Sequence, residues 1–426
     1  MFLEKEGKLI YSYDGETVCI EAWGKDALRV RATKNRSFTG RDWALEAKDA
    51  HAGEVEIFED PSAKGGAFAN MYEGTDTSYG KITNGKLHAV IDSGSVITFY
   101  HEDGRVLLKE HFRRLRDEES MPLNIMGREY SNGVGDNFRI VARFVARKGE
   151  KIFGMGQYQQ HELDLKGCML ELAQRNSQVS VPFYLSSIGY GFLWNNPGVG
   201  QVMFANNGTE WVTESGKEID YLVIAGDTPA EIEENYMTLT GKPPMMPEYG
   251  MGFWQCKLRY WNQEQLLSVA RKYKELGVPL DVIVVDFFHW TKQGEFKFDP
   301  KYWPDVPGMC RELKEMGIQV VVSVWPTVDI YSENFEEMKE KGYLVRTEHG
   351  VPLTMLCGGN EVFFDATNPD ARTYVWEKIR KIIMIRVPSS SGWMWQSRNT
   401  AFMISRTTAI SSEAYRRSEI FIRNII

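Results

Sequence analysis

Val282-Ile283-Val284-Val285-Asp286-Phe287-Phe288-His289-Trp290 is the stretch that decides the fold. Four β-branched residues in a row suit a parallel strand buried on both faces. A carboxylate set directly after them must be paired or used, because burying it alone is expensive. The flanking sequence repeats the theme. Upstream, Gly250-Met251-Gly252-Phe253-Trp254-Gln255 reads as a strand. A helix comes next, with Asn262 as N-cap and Gln265 three residues on, as in a capping box. Leu266, Ala270, Tyr273 and Leu276 form its apolar stripe, and Gly277 and Pro279 end it. Downstream, Pro307 opens a helix carrying Met309, Leu313 and Met316, closed by Gly317. Gln319-Val320-Val321-Val322-Ser323-Val324-Trp325 is a third strand, and two helical stretches lie beyond it around Glu333–Lys341 and Asp370–Arg380. This alternation gives either an open doubly wound sheet or a (β/α)8 TIM barrel. No Gly-x-Gly-x-x-Gly or P-loop follows any of the strands, so the barrel is preferred and no nucleotide cofactor is expected.

Before this alternation the pattern is β-type. Leu28, Val30 and Ala32 alternate with Arg29 and Arg31, which is the signature of a half-buried strand. Val96–Tyr100 and Val106–Leu108 flank a loop whose Asp103-Gly104 step supplies positive φ for a hairpin. The expected organisation is a multidomain β plus α/β chain. Residues 1–240 form an N-terminal β-sandwich, 241–380 the first part of a (β/α)8 barrel, and 381–426 an out-of-frame tail. The change of style falls at Gly241-Lys242-Pro243-Pro244-Met245-Met246-Pro247, too rich in proline to continue a helix or a central strand.

A net charge of −8 disfavours a nucleic-acid partner. Cys19, Cys168, Cys256, Cys310 and Cys357 are widely spaced, with no Cys-x-x-Cys pair, so neither a disulfide framework nor a metal site is expected. The charged opening Met1–Glu6 has no apolar region behind it, and no stretch reaches the length of a membrane span. The expectation is a cytoplasmic protein with no membrane partner and no cofactor.

In a barrel the active site forms where the strands end. The first strand delivers Trp254 and, beyond it, Arg259; the second delivers Asp286 and Phe287; the third delivers Trp325. Aromatic planes beside a carboxylate suit a sugar: rings cover the apolar face of a pyranose, and the carboxylate accepts hydrogen bonds from adjacent hydroxyls. The blander readings are barrel core for Trp254, a structural salt bridge for Asp286, and a structural histidine for His289.

Taken in order, Gly252-Phe253-Trp254-Gln255, Val285–Trp290, Phe298-Asp299-Pro300 with Trp303–Met309, and Ser323-Val324-Trp325-Pro326 resemble the start of the barrel of glycoside hydrolase family 31. Phe153-Gly154-Met155-Gly156-Gln157 is similar to the family's N-domain signature, and Phe192–Asn196 to a loop that carries Asn195 to the sugar. The resemblance implies a galactose-mutarotase-like sandwich and a retaining exo-α-glycosidase acting on an oligosaccharide or α-glycoside. It implies substrate contacts from Asp286, Phe287, Trp325, Trp254, Arg259 and Asn195, and it admits a homo-oligomer of the intact family member. α-Glucosidases of the family tend to carry a second Asp after the strand-two Asp. Phe287-Phe288 stand there instead, which is closer to the α-xylosidase branch and sterically favours a pentose.

The resemblance also implies a carboxylate nucleophile after a fourth strand and an acid/base carboxylate beyond it. Neither is expected in this chain: from Ile382 to Ile426 the acidic residues are Glu413 and Glu419, neither following an apolar strand. A frameshift near Lys381 accounts for this. Trp393-Met394-Trp395 must be TGG-ATG-TGG. In the neighbouring frame, with Gln396, those bases force Asp-Val-Ala inside a permitted Phe-Phe-Trp-Leu-Asp-Val-Ala-Glu-Pro-Glu-Tyr. Three readings stay open: a family enzyme whose activity needs an intact copy, a non-catalytic carbohydrate-binding protein, and a pseudogene product.

Overall fold

The computed structural model describes residues 1–46, 49–59, 78–111, 113–114, 124–174, 178–243, 245–286, 289–347, 350–354, 360–366 and 368–380. The expected out-of-frame tail, 381–426, lies outside the described residues, as does Phe287. The chain divides into two compact units, Met1–Pro243 and Pro244–Ile426.

The first unit is antiparallel β-structure. A nine-stranded sheet has the order Phe2–Lys5, Lys8–Tyr13, Glu16–Trp23, Ala27–Thr33, Ile219–Ala225, Tyr190–Trp194, Val179–Ser186, Ile152–Gln157, with Ala50–His51 paired off this path to Glu16–Trp23. Two five-stranded sheets share its main core. Alternation along the central strands explains the layering. Tyr221 and Val223 face that core, while Leu222 and Ile224 pack with Ile232 and Leu239 of the helix Pro229–Thr240. Thr228 caps this helix by accepting from the Glu231 amide. The hairpin at Asp103-Gly104 forms as expected, with Val106 opposite Tyr100 and Gly104 at φ +86°.

Ala27–Thr33 departs from the half-buried strand its alternation implied. Arg29 is fully buried, as are Leu28, Val30 and Ala32. Its guanidinium donates to both carboxylate oxygens of Asp220, at 3.0 and 2.7 Å, and to Asp42 at 2.7 Å. The strand is central, so its charged side chain is paired inside the protein rather than solvated. The Gly154-Met155-Gly156 step also acquires a reason. The pairing of Ile152–Gln157 with Val179–Ser186 shifts register there. A Cβ on Gly156 would sit 2.2 Å from the Val179 carbonyl oxygen, so only glycine permits the approach.

In the second unit, β1 (Trp254–Cys256), β2 (Val282–Val285) and β3 (Gln319–Val322) form a parallel sheet in that order. β1 is shorter than its sequence implied, because Glu248–Met251 closes into a 3₁₀ turn ahead of it. Helices α1 (Gln263–Glu275) and α2 (Val306–Glu315) cross between the strands. Asn262 Oδ1 accepts from the Gln265 amide at 2.9 Å, and Gln265 Oε1 accepts from the Trp261 amide at 2.7 Å. Leu266 and Ala270 are buried, but Leu276 falls at the C-cap and is 63% exposed, outside the stripe. α3 (Phe335–Glu340) and α4 (Pro369–Ile379) occupy the two later helical stretches.

The two faces of this sheet separate the barrel from the doubly wound alternative. Ile283, Val285 and Val322 pack with Leu266 and Ala270 of α1 and with Met309 and Leu313 of α2, so both crossover helices cover one face. Val282, Val284 and Val321 pack with Trp254 on the opposite face. A doubly wound sheet places helices on both faces; a barrel keeps them outside and fills its interior with strand side chains. An antiparallel pair not anticipated from the sequence, β4 (Thr327–Asp329) with β5 (Glu361–Phe363), comes after β3.

Candidate functional site

β1, β2 and β3 run parallel, so their C-terminal ends lie together, and the residues beyond those ends form one rim. Asp286 follows β2 directly and is half-buried. Alternation sets it on the face of Val282 and Val284, the barrel-interior face. Its Oδ2 lies 3.6 Å from Cys256 Sγ at the end of β1. The Ser323 amide extends the β2–β3 ladder by donating to the Val285 carbonyl at 2.9 Å, which keeps Ser323 level with Asp286. Ser323 is 1% exposed, and its hydroxyl finds no hydrogen-bond partner among the described residues.

Rings follow the ends of β2 and β3. Trp325 is half-buried, packs on Val345, Phe363 and Leu353, and lies 6.4 Å from Trp290 between ring centroids. Both line a small recess together with His289, Gln293, Phe296 and Val324. His289 is a support. It is 1% exposed, its Nδ1–H donates to the Asp286 carbonyl at 3.1 Å, and burial pushes its pKa down to about 4. A neutral imidazole tied to the Asp286 carbonyl braces the backbone at the end of β2. Gln293 Nε2 donates to Thr327 Oγ1 at 2.9 Å, which donates to Glu361 Oε2 at 2.8 Å; burial raises the pKa of Glu361. This chain ties β4 and β5 to the loop after β2. Its members are far apart in sequence and give no local signal.

The expected site residues divide. Asp286 and Trp325 follow the neighbouring strands β2 and β3 at the same end of the sheet. Arg259 lies in the loop after β1, half-buried, its guanidinium 3.5 Å from the Trp261 ring centroid. Trp254 stands level with Val282, four residues before Asp286, roughly 13 Å along the strand. Its indole N–H donates to the Gly250 carbonyl at 3.2 Å, and it fills the interior face below the rim. Asn195 follows the buried strand Tyr190–Trp194 of the first unit and is itself fully buried. Its Nδ2 donates to Asp220 at 2.8 Å and to the Asp42 carbonyl at 3.1 Å, and its Oδ1 accepts from the Ala44 amide, so its amide is engaged in the Arg29 network.

Among the described residues, no group of three or more His, Cys, Asp or Glu side chains could hold a metal ion, and no helix is long and apolar enough to cross a membrane. Asp286 is the single carboxylate directly after β1, β2 or β3. The rim can therefore accept hydrogen bonds from a neutral polyol and cover it with rings.

Comparison with known proteins agrees in kind. Residues 243–418 match the TIM-barrel domain of glycosyl hydrolases family 31, and residues 17–202 match the glycosyl hydrolase 31 N-terminal galactose mutarotase-like domain. An uncharacterized family 31 glucosidase of Pseudescherichia vulneris is 42% identical over 390 residues, which is 89% of this chain and 70% of the relative. Alpha-xylosidase A of Aspergillus niger is 29% identical over 86% of this chain and 50% of its own length. The crystal structure of a family 31 α-xylosidase from a soil metagenome, complexed with xylose, superposes with a TM-score of 0.80 at 46% identity, covering 91% of this chain and 56% of that one. The chain thus spans between 50% and 70% of the length of these relatives. Its two units and its sequence together make it a member of glycoside hydrolase family 31.

Proposed function

We propose that the second unit carries the sugar-binding half of a retaining exo-α-glycosidase site, with α-xylosides favoured over α-glucosides. The observation that carries this reading is Asp286, held half-buried at the barrel-interior end of β2 beside the thiol of Cys256, with Trp325 following the neighbouring strand β3. A carboxylate so placed accepts hydrogen bonds from hydroxyls of a terminal sugar, and the indole covers the sugar's apolar face. A Phe at position 287, in place of the second Asp that α-glucosidases of the family tend to carry, favours a pentose over a hexose. Support comes from the α-xylosidases among the relatives.

Retaining hydrolysis needs two carboxyl groups about 5–5.5 Å apart, one as nucleophile and one as acid/base. Asp286 alone supplies neither pair nor spacing, so its role is to bind. We propose that residues 381–426 are read out of frame, that 1–240 and 241–380 are the sandwich and the part-barrel, and that this chain binds sugar without cleaving it. The test compares two chains: this one, and one with a single base restored near codon 381 and the downstream frame read through. The restored chain is expected to hydrolyse p-nitrophenyl α-xyloside faster than the α-glucoside, while this chain stays at background. Hydrolysis by this chain, or a gene with no such alternative frame, would refute the reading. The second reading, a carbohydrate-binding protein, is favoured by Asp286 being the single carboxylate directly after β1, β2 or β3, and calorimetry with xylose and glucose distinguishes it from an inert chain.

A further inference from the structure

The thiol of Cys256 adjoins the carboxylate on which the proposed sugar site depends. β1 and β2 are parallel, with Cys256 level with Val284. Alternation therefore puts Cys256 and Asp286 on the same interior face, opposite α1 and α2. The thiol donates toward Asp286 Oδ2 across 3.6 Å. Cys256 is exposed, whereas Cys19 and Cys310 are buried. On β3 the same face carries Ser323, whose buried hydroxyl lacks a partner among the described residues. A buried hydroxyl without a partner costs free energy, so this end of the face is built for polar company rather than for core.

Resting on the sugar-site reading above, we infer that Cys256 is a positioning residue: its S–H holds Oδ2 of Asp286, so that the carboxylate meets the sugar hydroxyls in one orientation. The contact requires a protonated thiol. Partial shielding of the sulfur from water and the neighbouring Asp286 carboxylate push the Cys256 thiol up to about 11, so it remains a donor at neutral pH. Asp286 is the charged group acting on the thiol among the described residues, and the phenol of Tyr260 is the other titratable group coupled to it. A sulfur that merely filled space would have no influence on sugar affinity.

Two measurements on the full chain test this. The first is alkylation of Cys256 by iodoacetamide across a pH range, resolved by peptide mass spectrometry, in the wild type and in Asp286→Asn. The thiol gives its proton to solvent, the thiolate forms an S–C bond, and iodide leaves. Loss of the carboxylate is expected to move the alkylation midpoint down toward the ordinary thiol range and to speed reaction at neutral pH by about tenfold or more. The second is calorimetry with methyl α-xyloside. Cys256→Ala is expected to weaken binding about threefold to tenfold, the worth of one modest hydrogen bond, and Cys256→Ser to restore it to within about twofold. A chain that binds xyloside but shows no alkylation shift, or equal affinity in all three proteins, overturns the positioning role alone. A chain that shows the shift but binds no xyloside overturns the sugar-site reading, and the positioning role with it.

Discussion

Arg29→Met should cost the sandwich unit much of its stability. Arg29 is fully buried and makes three hydrogen bonds to carboxylates, two to Asp220 and one to Asp42, and its guanidinium lies 4.6 Å from the Trp23 ring centroid. Methionine keeps most of the apolar stem but strips Asp220, 1% exposed, of its cation, with the Asn195 amide still donating to it. Breaking a buried ion pair from one side costs about 3–5 kcal/mol, against a total stability of about 5–15 kcal/mol for a domain. In a unit of this size that corresponds to roughly 10 °C in Tm. Differential scanning calorimetry of the two proteins reads it directly. The deficit should shrink as pH falls, because burial already raises the pKa of Asp220 and protonation removes the stranded charge. Asp220→Leu added to Arg29→Met should recover part of the loss. A loss below about 1 kcal/mol, or one independent of pH, would refute the assignment of Arg29 as a paired core charge.

Three further outcomes concern the second unit. Burial holds His289 down to about 4, below the usual 6.5, so as pH falls the unfolded chain takes up the proton first. This group should leave stability unchanged above pH 6.5 and impose a penalty that grows to about 3 kcal/mol as pH falls toward 4, and His289→Gln should flatten that slope in urea titrations. Asn262→Ala removes the acceptor for the Gln265 amide and should cost about 1 kcal/mol by the same titration. Leu313→Ala, at a fully buried position between α2 and the sheet, should cost about 2–5 kcal/mol.

How much of the fold and the site is legible in the sequence depends on how far apart the determining residues lie. The strand Val282–Val285 and helix α1 with its Asn262 cap are readable because their signals are local: a β-branched run, a capping box, a terminating glycine. Asp286 is readable too, since a carboxylate ending such a strand needs a purpose. The burial of Arg29 is not, because its partner Asp220 is 191 residues away and strand order cannot be seen in alternation. Trp254 shows the same limit. An aromatic near a strand end looks alike at either end, and only the register with Val282 shows that it sits below the rim. Asn195 reads as a loop amide, yet its partners Asp42 and Asp220 come from distant segments. The thiol beside Asp286 gives no sequence signal, because a single cysteine carries no pattern.

The most direct measurement is the affinity of the full chain for methyl α-xyloside with and without the Asp286 carboxylate. Titration calorimetry should show Asp286→Asn binding at least about tenfold more weakly, as expected when a charge-assisted hydrogen bond to the sugar is lost. Equal affinity in the two proteins would place the sugar elsewhere and contradict a binding site at the rim of β1, β2 and β3.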